Sequence, residues 1–363
     1  MLRSAPFACA LLGVALLAAC SSDDEPRSEA LVAPTPRTVS APGQPPATPT
    51  QPPTIVVAAV GDLMFARDLT DLMLTRGATY PFERVLPLFE GADLLIGNME
   101  GTFTDRGEPL DKEYTFRTPP QLAAALWAVG FDAVSLANNH STDFGAVGLE
   151  DTLAALEGAG VPSFGAGLDA EAAYAPLLVE ANGATIALLG FNDIPETQPA
   201  GPASPGVAWT SEDVGRHVRR AATLADYVIV VFHFGTEYVA EPTDWQRTLA
   251  RAAIDAGASA VIGSHPHVLQ PWERYRDGVI FYSLGNFVFD LDSEDLATLG
   301  PEPFQSVVAV LTLSPDGPPG VELRPAFIDP LENRPRPADV EEADAIRSAL
   351  GSGEQATGGA SGY

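Results

Sequence analysis

Apolar runs recur along this 363-residue chain, and each breaks off at a polar residue able to bind a cation. Ile55-Val56-Val57-Ala58-Ala59-Val60-Gly61 stops at Asp62, Leu94-Leu95-Ile96-Gly97-Asn98-Met99 at Glu100, and Ala133-Val134-Ser135-Leu136-Ala137 at Asn138-Asn139-His140. Val228-Ile229-Val230-Val231-Phe232 stops at His233, and Ala260-Val261-Ile262-Gly263-Ser264 at His265-Pro266-His267. Short continuous apolar runs read as strands buried on both faces, so the polar residues at their ends point into the crevice that strand termini form. Helical patterns fall between them, over 66–76, 120–129, 146–158, 211–224 and 243–256. In the last, Trp245, Leu249 and Ala253 are spaced by four, with Asp244 at the start and Gly257 after the end. Pro119 and Pro120 open the helix that carries Leu122, Leu126 and Val129. Strands alternating with helices predict an α/β domain. The runs 278–290, 305–313 and 320–328 follow without helices between them, so the sheet is expected to turn antiparallel there. One peripheral helix over 338–350 and a disordered Gly/Ser-rich end complete the chain.

Four of the five histidines, His140, His233, His265 and His267, thus stand at strand ends. Imidazole, carboxylate and amide oxygen converging in a cleft is the donor set of a divalent-metal site. In an extended segment residues i and i+2 point the same way, so His265 and His267 are expected to face one site, with Pro266 stiffening the turn. Asn138 reads more readily as a turn residue than as a ligand. Glu237, beyond the flexible Gly235, is either a substrate contact or a loop cap. Arg117 is a candidate for holding an anionic substrate, with a solvated loop charge as the alternative, which is the better reading for Lys112. Asn286 is expected to support a loop or orient a ligand. Ser264 lacks the Gly-x-Ser-x-Gly frame of a nucleophile. Gly61 and Gly97 are expected to let the backbone bend beside the site, since no Gly-x-x-x-x-Gly-Lys phosphate loop occurs.

The ends and the charge place this domain. Arg3, the apolar stretch from Phe7 to Ala19 and small residues before Cys20 read as a secretory signal over residues 1–20. Leu17-Ala18-Ala19-Cys20 resembles the bacterial lipobox, which implies lipidation at Cys20 and an extracytoplasmic, membrane-anchored lipoprotein. Residues 21–54, rich in proline, serine and threonine, read as an extended tether. Cys9 lies in the signal, leaving the mature domain without a disulfide. The domain is expected over 55–335, followed by the helix and tail over 336–363. A net charge of −28 makes nucleic acid an unsuitable partner.

At Gly61-Asp62, Asn98-Met99-Glu100, Leu136-Ala137-Asn138-Asn139-His140-Ser141-Thr142-Asp143-Phe144-Gly145, His233-Phe234-Gly235-Thr236-Glu237, Gly263-Ser264-His265-Pro266-His267 and Tyr282-Ser283-Leu284-Gly285-Asn286-Phe287, the chain resembles the CapA family. These are poly-γ-glutamate capsule synthesis proteins, and their domain is similar to calcineurin-like metallophosphoesterases. The resemblance implies a four-layer sandwich, two mixed sheets flanked by helices. It further implies one or two divalent ions (Mn, Zn or Fe): Asp62 and His267 at one, Asn139, His233 and His265 at the other, and Glu100 bridging. His140 would then be free to protonate a leaving atom. An anionic capsule polymer or a phosphoester would be the substrate, a membrane-bound polymer synthase a partner, and the activity that of a metal-dependent hydrolase; a non-catalytic assembly factor and an extracytoplasmic phosphoesterase are the alternatives. Two departures stand out. Phosphoesterases begin Asp-x-His where this chain has Asp62-Leu63-Met64, and they carry aspartate where it has Glu100. Both argue against ordinary phosphatase activity more than against the family.

Overall fold

The computed structural model describes residues 53–210 and 213–353. The expected signal peptide, Cys20, nearly all of the tether and the final Gly/Ser-rich residues lie outside the described residues. Two large mixed sheets dominate. The first runs, edge to edge, Arg334–Pro337, Gly317–Asp329, Gln305–Ser314, Ile55–Leu63, Leu94–Met99, Ala133–Ser135 and Ser163–Phe164, with Asn286–Val288 also paired to Ile55–Leu63. The second runs Leu269–Tyr275, Gly278–Leu284, Ala260–Ser264, Tyr227–His233, Ala184–Asn192 and Leu177–Ala181. The first is antiparallel from Arg334–Pro337 to Ile55–Leu63 and parallel from there to the Ser163–Phe164 edge, whereas the second has a parallel centre and antiparallel margins. The antiparallel turn expected late in the chain is present, as Gln305–Ser314 pairs antiparallel with both Ile55–Leu63 and Gly317–Asp329.

Strand periodicity explains the layering. Ile55, Val57 and Ala59 face the other sheet, where they meet Ile186, Leu188, Ile229, Val231, Ile262 and Phe281. The alternate residues Ala58 and Val60 face outward onto a layer holding Leu69, Met73, Leu126 and Leu149. On the second sheet Val228, Val230 and Phe232 likewise face outward, against Val214, Val218, Leu249 and Ala253. Helix, sheet, sheet and helix make a four-layer sandwich. In the inter-sheet layer each fully buried aliphatic side chain contributes about 1.5–3 kcal/mol.

Several elements differ from expectation. A hairpin formed by Leu177–Ala181 and Ala184–Asn192 supplies two strands of the second sheet. A short helix, Ser293–Leu299, interrupts the late strands, capped by Asp292, which accepts from the backbone of Glu294 and Asp295. The helix expected at the periphery, Val340–Leu350, buries Ile346 and Leu350 in the inter-sheet core. The segment around residue 120 begins as a 3-10 turn and becomes α-helical only over Ala124–Val129. Helix Asp244–Asp255 starts where predicted because Thr243 and Gln246 cap it reciprocally.

Candidate metal centre at the strand ends

Asp62, Glu100, Asn139, His140, His233, His265 and His267 all gather at the carboxyl ends of parallel strands, and all are buried. Chain crossing brings the two sheets' ends together. After Gly278–Leu284, the backbone turns through Gly285 in the left-handed region, at φ 65°, and enters the first sheet as Asn286–Val288. There Asn286 pairs in register with Asp62, whose N–H donates to Gly285 O at 3.0 Å. Gly61 is not a bend: a Cβ there would lie 1.9 Å from Gly285 O, so glycine is what allows the two backbones to touch.

The first sheet brings carboxylates and amides. Asn98 Nδ2 donates to Asp62 Oδ1 at 2.8 Å, and the backbone N–H of His265 donates to Oδ2 at 3.2 Å. Glu100 is fully buried and neither of its oxygens has a hydrogen-bond partner. Burial, then the charges of Asp62, Glu237 and Asp143, push its carboxyl well above the usual range. Asn138 serves the turn: its amide donates to Met99 O and its oxygen accepts from His140 N and the Ser141 hydroxyl. His140 Nδ1 lies 2.9 Å from Asp143 Oδ2 and its ring stacks on Phe116 at 4.1 Å between centroids, which leaves Nε2 3.6 Å from Glu100 Oε1. Because an ionised carboxylate only accepts, Asp143 fixes the proton on Nδ1. Lys112, read from sequence as a solvated charge, is instead buried; Nζ lies 2.5 Å from Asp143 Oδ1 and donates to Asn139 O at 2.8 Å.

The second sheet brings imidazoles. His233 Nε2 lies 2.8 Å from Asn139 Oδ1, and its Nδ1 lies 3.2 Å from Ser264 Oγ, whose hydroxyl donates to Phe232 O. Ser264 thus braces a ring rather than acting as a nucleophile. His267 Nδ1 lies 2.8 Å from Asn286 Oδ1, while the Asn286 amide donates to His267 O and Pro303 O. That amide can present only its oxygen to the ring, so His267 Nε2 is left bare, 3.8 Å from Glu100 Oε1. His265 Nδ1 is buried without a partner. Burial, then the neighbouring imidazoles, hold His233 and His265 well below their ordinary pKa, so both rings are neutral and present lone pairs. The His265-Pro266-His267 segment is not extended. His265 and His267 have φ of 95° and 57°, so a left-handed turn, and not strand alternation, aims the two rings.

These donors fit a divalent ion. Asp62, Glu100 and His233 each offer a ligand atom within 4.8 Å of the others, and so do Glu237, His265 and His267. Beside these groups, Asn139 Oδ1 adjoins His233 Nε2 at 2.8 Å and Asp62 Oδ2 adjoins His267 Nδ1 at 3.5 Å, the pairs that the family resemblance implies. A cavity of about 430 Å³ opens beside them, lined by His140, His267, Phe116, Phe289, Tyr114, Tyr238 and by Glu113, Glu237, Asp290 and Asp295. Its arginine is Arg67, stacked over Tyr114 and Phe116. Arg117 does not line it: that guanidinium donates to Arg106 O and Gly107 O and lies over Phe144. Met64 is buried beside Ala66, Phe116, Phe289 and Phe304, and its sulfur accepts from Ala66 N at 3.1 Å. The sequence pattern assigned no role to Asp143 or Arg67. The three-residue spacing of His140 and Asp143 was the available signal for the first.

Residues 56–291 match the family of the bacterial capsule synthesis protein PGA_cap. The PGA biosynthesis protein CapA of Bacillus subtilis is 39% identical over 236 residues, covering 64% of this chain and 62% of that protein. The capsule biosynthesis protein CapA of Bacillus anthracis is 34% identical, covering 65% and 60%. A probable polyglutamine synthesis accessory protein of Mycobacterium tuberculosis is 33% identical, covering 66% of each. Less than two thirds of each Bacillus relative is therefore spanned. Among solved structures, a hypothetical protein of Thermus thermophilus aligns with a TM-score of 0.45 at 22% identity, covering 74% of this chain and 99% of that one. A calcineurin-like phosphoesterase of Bacillus subtilis also aligns at 0.45, with 15% identity and coverage of 82% and 96%. Scores below 0.5 add no argument, so the assignment rests on the sequence matches, and by these the chain belongs to the PGA_cap family of bacterial capsule synthesis proteins.

Proposed function

We propose that this chain is a surface-anchored protein of the CapA type, acting in the biosynthesis, export or anchoring of a poly-γ-glutamate-like capsule polymer through a metal-dependent hydrolase or transfer site. The observation that carries the catalytic part is Glu100, a fully buried carboxylate with no hydrogen-bond partner, with the Nε2 atoms of His140 and His267 at 3.6 and 3.8 Å from Oε1. An isolated buried carboxylate is too costly to stay charged unless a cation or a proton meets it. Asp62, Glu100 and His233 would hold the ion, with Asn139, His265 and His267 adjoining. When bound, a divalent cation supplies Lewis acidity at the attacked phosphoryl or γ-amide group and compensates the buried carboxylates.

The residues of this chain do the remaining work. His140 exchanges a proton at Nε2, on the cleft side, while Asp143 holds Nδ1 and supports the imidazolium that forms when the ring is charged. Lys112 braces Asp143 by direct pairing. Phe116 and Phe289 wall the cleft against water, and Arg67 offers a cation for a substrate carboxylate or phosphate. Lipidation at Cys20 would anchor the protein to the outer face of the membrane, with residues 21–54 as its tether and a membrane-bound polymer synthase as neighbour. A second reading, a non-catalytic polymer-binding assembly factor, is favoured by Met64, which leaves the site one imidazole short of the phosphoesterase pattern.

Metal analysis of the purified chain, combined with assays on phosphodiesters and γ-glutamyl oligomers, tests this. Bound metal and turnover that is lost in His140→Gln are expected. A wild type without metal sinks the catalytic reading; bound metal with polymer retained and no turnover favours the assembly factor. Palmitate labelling abolished in Cys20→Ala is the expected result for the anchor.

A further inference from the structure

Glu237 sits on a loop that the fold holds against the His265-Pro266-His267 turn. Tyr238 N donates to Pro266 O at 2.8 Å, and Gln270 Nε2 donates to Val239 O at 2.8 Å. Gln270 is itself fixed by Gln246, whose amide donates to it at 2.9 Å. Gly235 lets the loop leave its strand: at φ 106° it packs on Gln246, where a Cβ would stand 2.7 Å from the amide nitrogen. Tyr238, like His265 and His267, takes a left-handed backbone, at φ 58°. Non-glycine residues in that region persist where the surroundings over-determine them, and such places cluster at binding sites.

The chemistry at this junction is incomplete without a ligand. His265 is buried, and its Nδ1 has no partner. His267 has Nδ1 committed to Asn286, which leaves Nε2. Ligand atoms of Glu237, His265 and His267 lie within 4.8 Å of one another. Met64, two residues past Asp62, is packed into an apolar cluster and its sulfur accepts from a backbone N–H, so that position offers no imidazole.

Resting on the metal-site reading above, we infer that Glu237, His265 and His267 form a second divalent-cation position at the cleft mouth, with Glu237 replacing the ligand that Met64 cannot provide. Glu237 is exposed while Asp62, Glu100 and His233 are fully buried. The outer ion therefore exchanges with solvent more readily and binds more weakly than the inner one. Being at the cavity lining, it also meets substrate directly, and Glu237 acts on substrate through it.

The test is equilibrium dialysis of the full chain against Mn²⁺, with metal counted by mass spectrometry and the spin state read by electron paramagnetic resonance. Wild type should bind two equivalents of unequal affinity with a coupled spectrum. Glu237→Gln should lose the weaker equivalent and show the six-line signal of an isolated ion, His265→Ala should do the same, and Glu113→Gln should match wild type. Retention of both equivalents, or a single equivalent indifferent to Glu237→Gln, overturns the outer position while leaving the inner one standing. No metal in the wild type overturns both.

Discussion

The two sheets contribute opposite chemistry to one place. The eight-stranded sheet delivers Asp62, Glu100, Asn139 and His140; the six-stranded sheet delivers His233, His265 and His267. Burial drives each set toward neutrality, raising Glu100 and Asp62 and lowering His233 and His265. Each half is therefore a poor structure on its own and a good ligand set beside the other. Lys112, the one buried amine at the site, is taken by Asp143, and both Glu100 oxygens have no hydrogen-bond partner among the described residues.

The comparison breaks most sharply at His140. Replacing it with glutamine should lower turnover by about 10²–10⁴-fold, the usual contribution of a positioned acid or base, with metal content unchanged. A parallel loss of metal would make His140 a ligand instead. On the imidazole side, Asn286→Ala frees the His267 ring and should weaken metal binding by about 10–100-fold, measured by chelator competition. Where the sheets touch, Gly61→Ala forces a methyl against Gly285 O and should cost about 1–3 kcal/mol in urea unfolding, the range for overpacking. An unchanged midpoint would show that the crossing is not tight.

The smallest effect distinguishes the halves by sign. In metal-free protein Glu100 holds a proton that the unfolded chain releases near its ordinary value of 4.5, so its contribution is full below that pH and lost as pH rises toward the folded value. His233 and His265 do the reverse: the unfolded chain takes up protons near 6.5 that the folded protein refuses, so stability falls as pH drops through that value. Glu100→Gln should remove the first limb and keep the second. A denaturation series across this window with and without Mn²⁺ checks it; a variant with the wild-type profile would remove Glu100 as the source.

The strand ends were legible because a buried strand must be apolar and its last residue need not be. The hairpin Leu177–Asn192 was less so, although Asn182-Gly183, at φ 49° and 86°, is a tight-turn pair flanked by alternation that could have revealed it. Lys112 and Arg117 both departed from expectation for a tertiary reason. A lysine is buried only when a partner waits, and Asp143 is 31 positions away in sequence. The His-Pro-His turn was read as extended because nothing local announces a left-handed backbone at histidine. The approach of Glu237 to His265 and His267 was likewise invisible, since it depends on how the Gly235 turn returns Glu237 across Pro266.

The crossing at Gly285 sets a schedule. Asp62 meets its register partner Asn286 only after more than two hundred intervening residues have been made, and such distant pairings form late and slowly. A chain emerging from a ribosome, or from a translocation pore, thus carries a set of scattered weak ligands until nearly its whole domain is free. If the site takes a metal, the compartment in which residue 286 finds residue 62 is the one whose metal pool would load it.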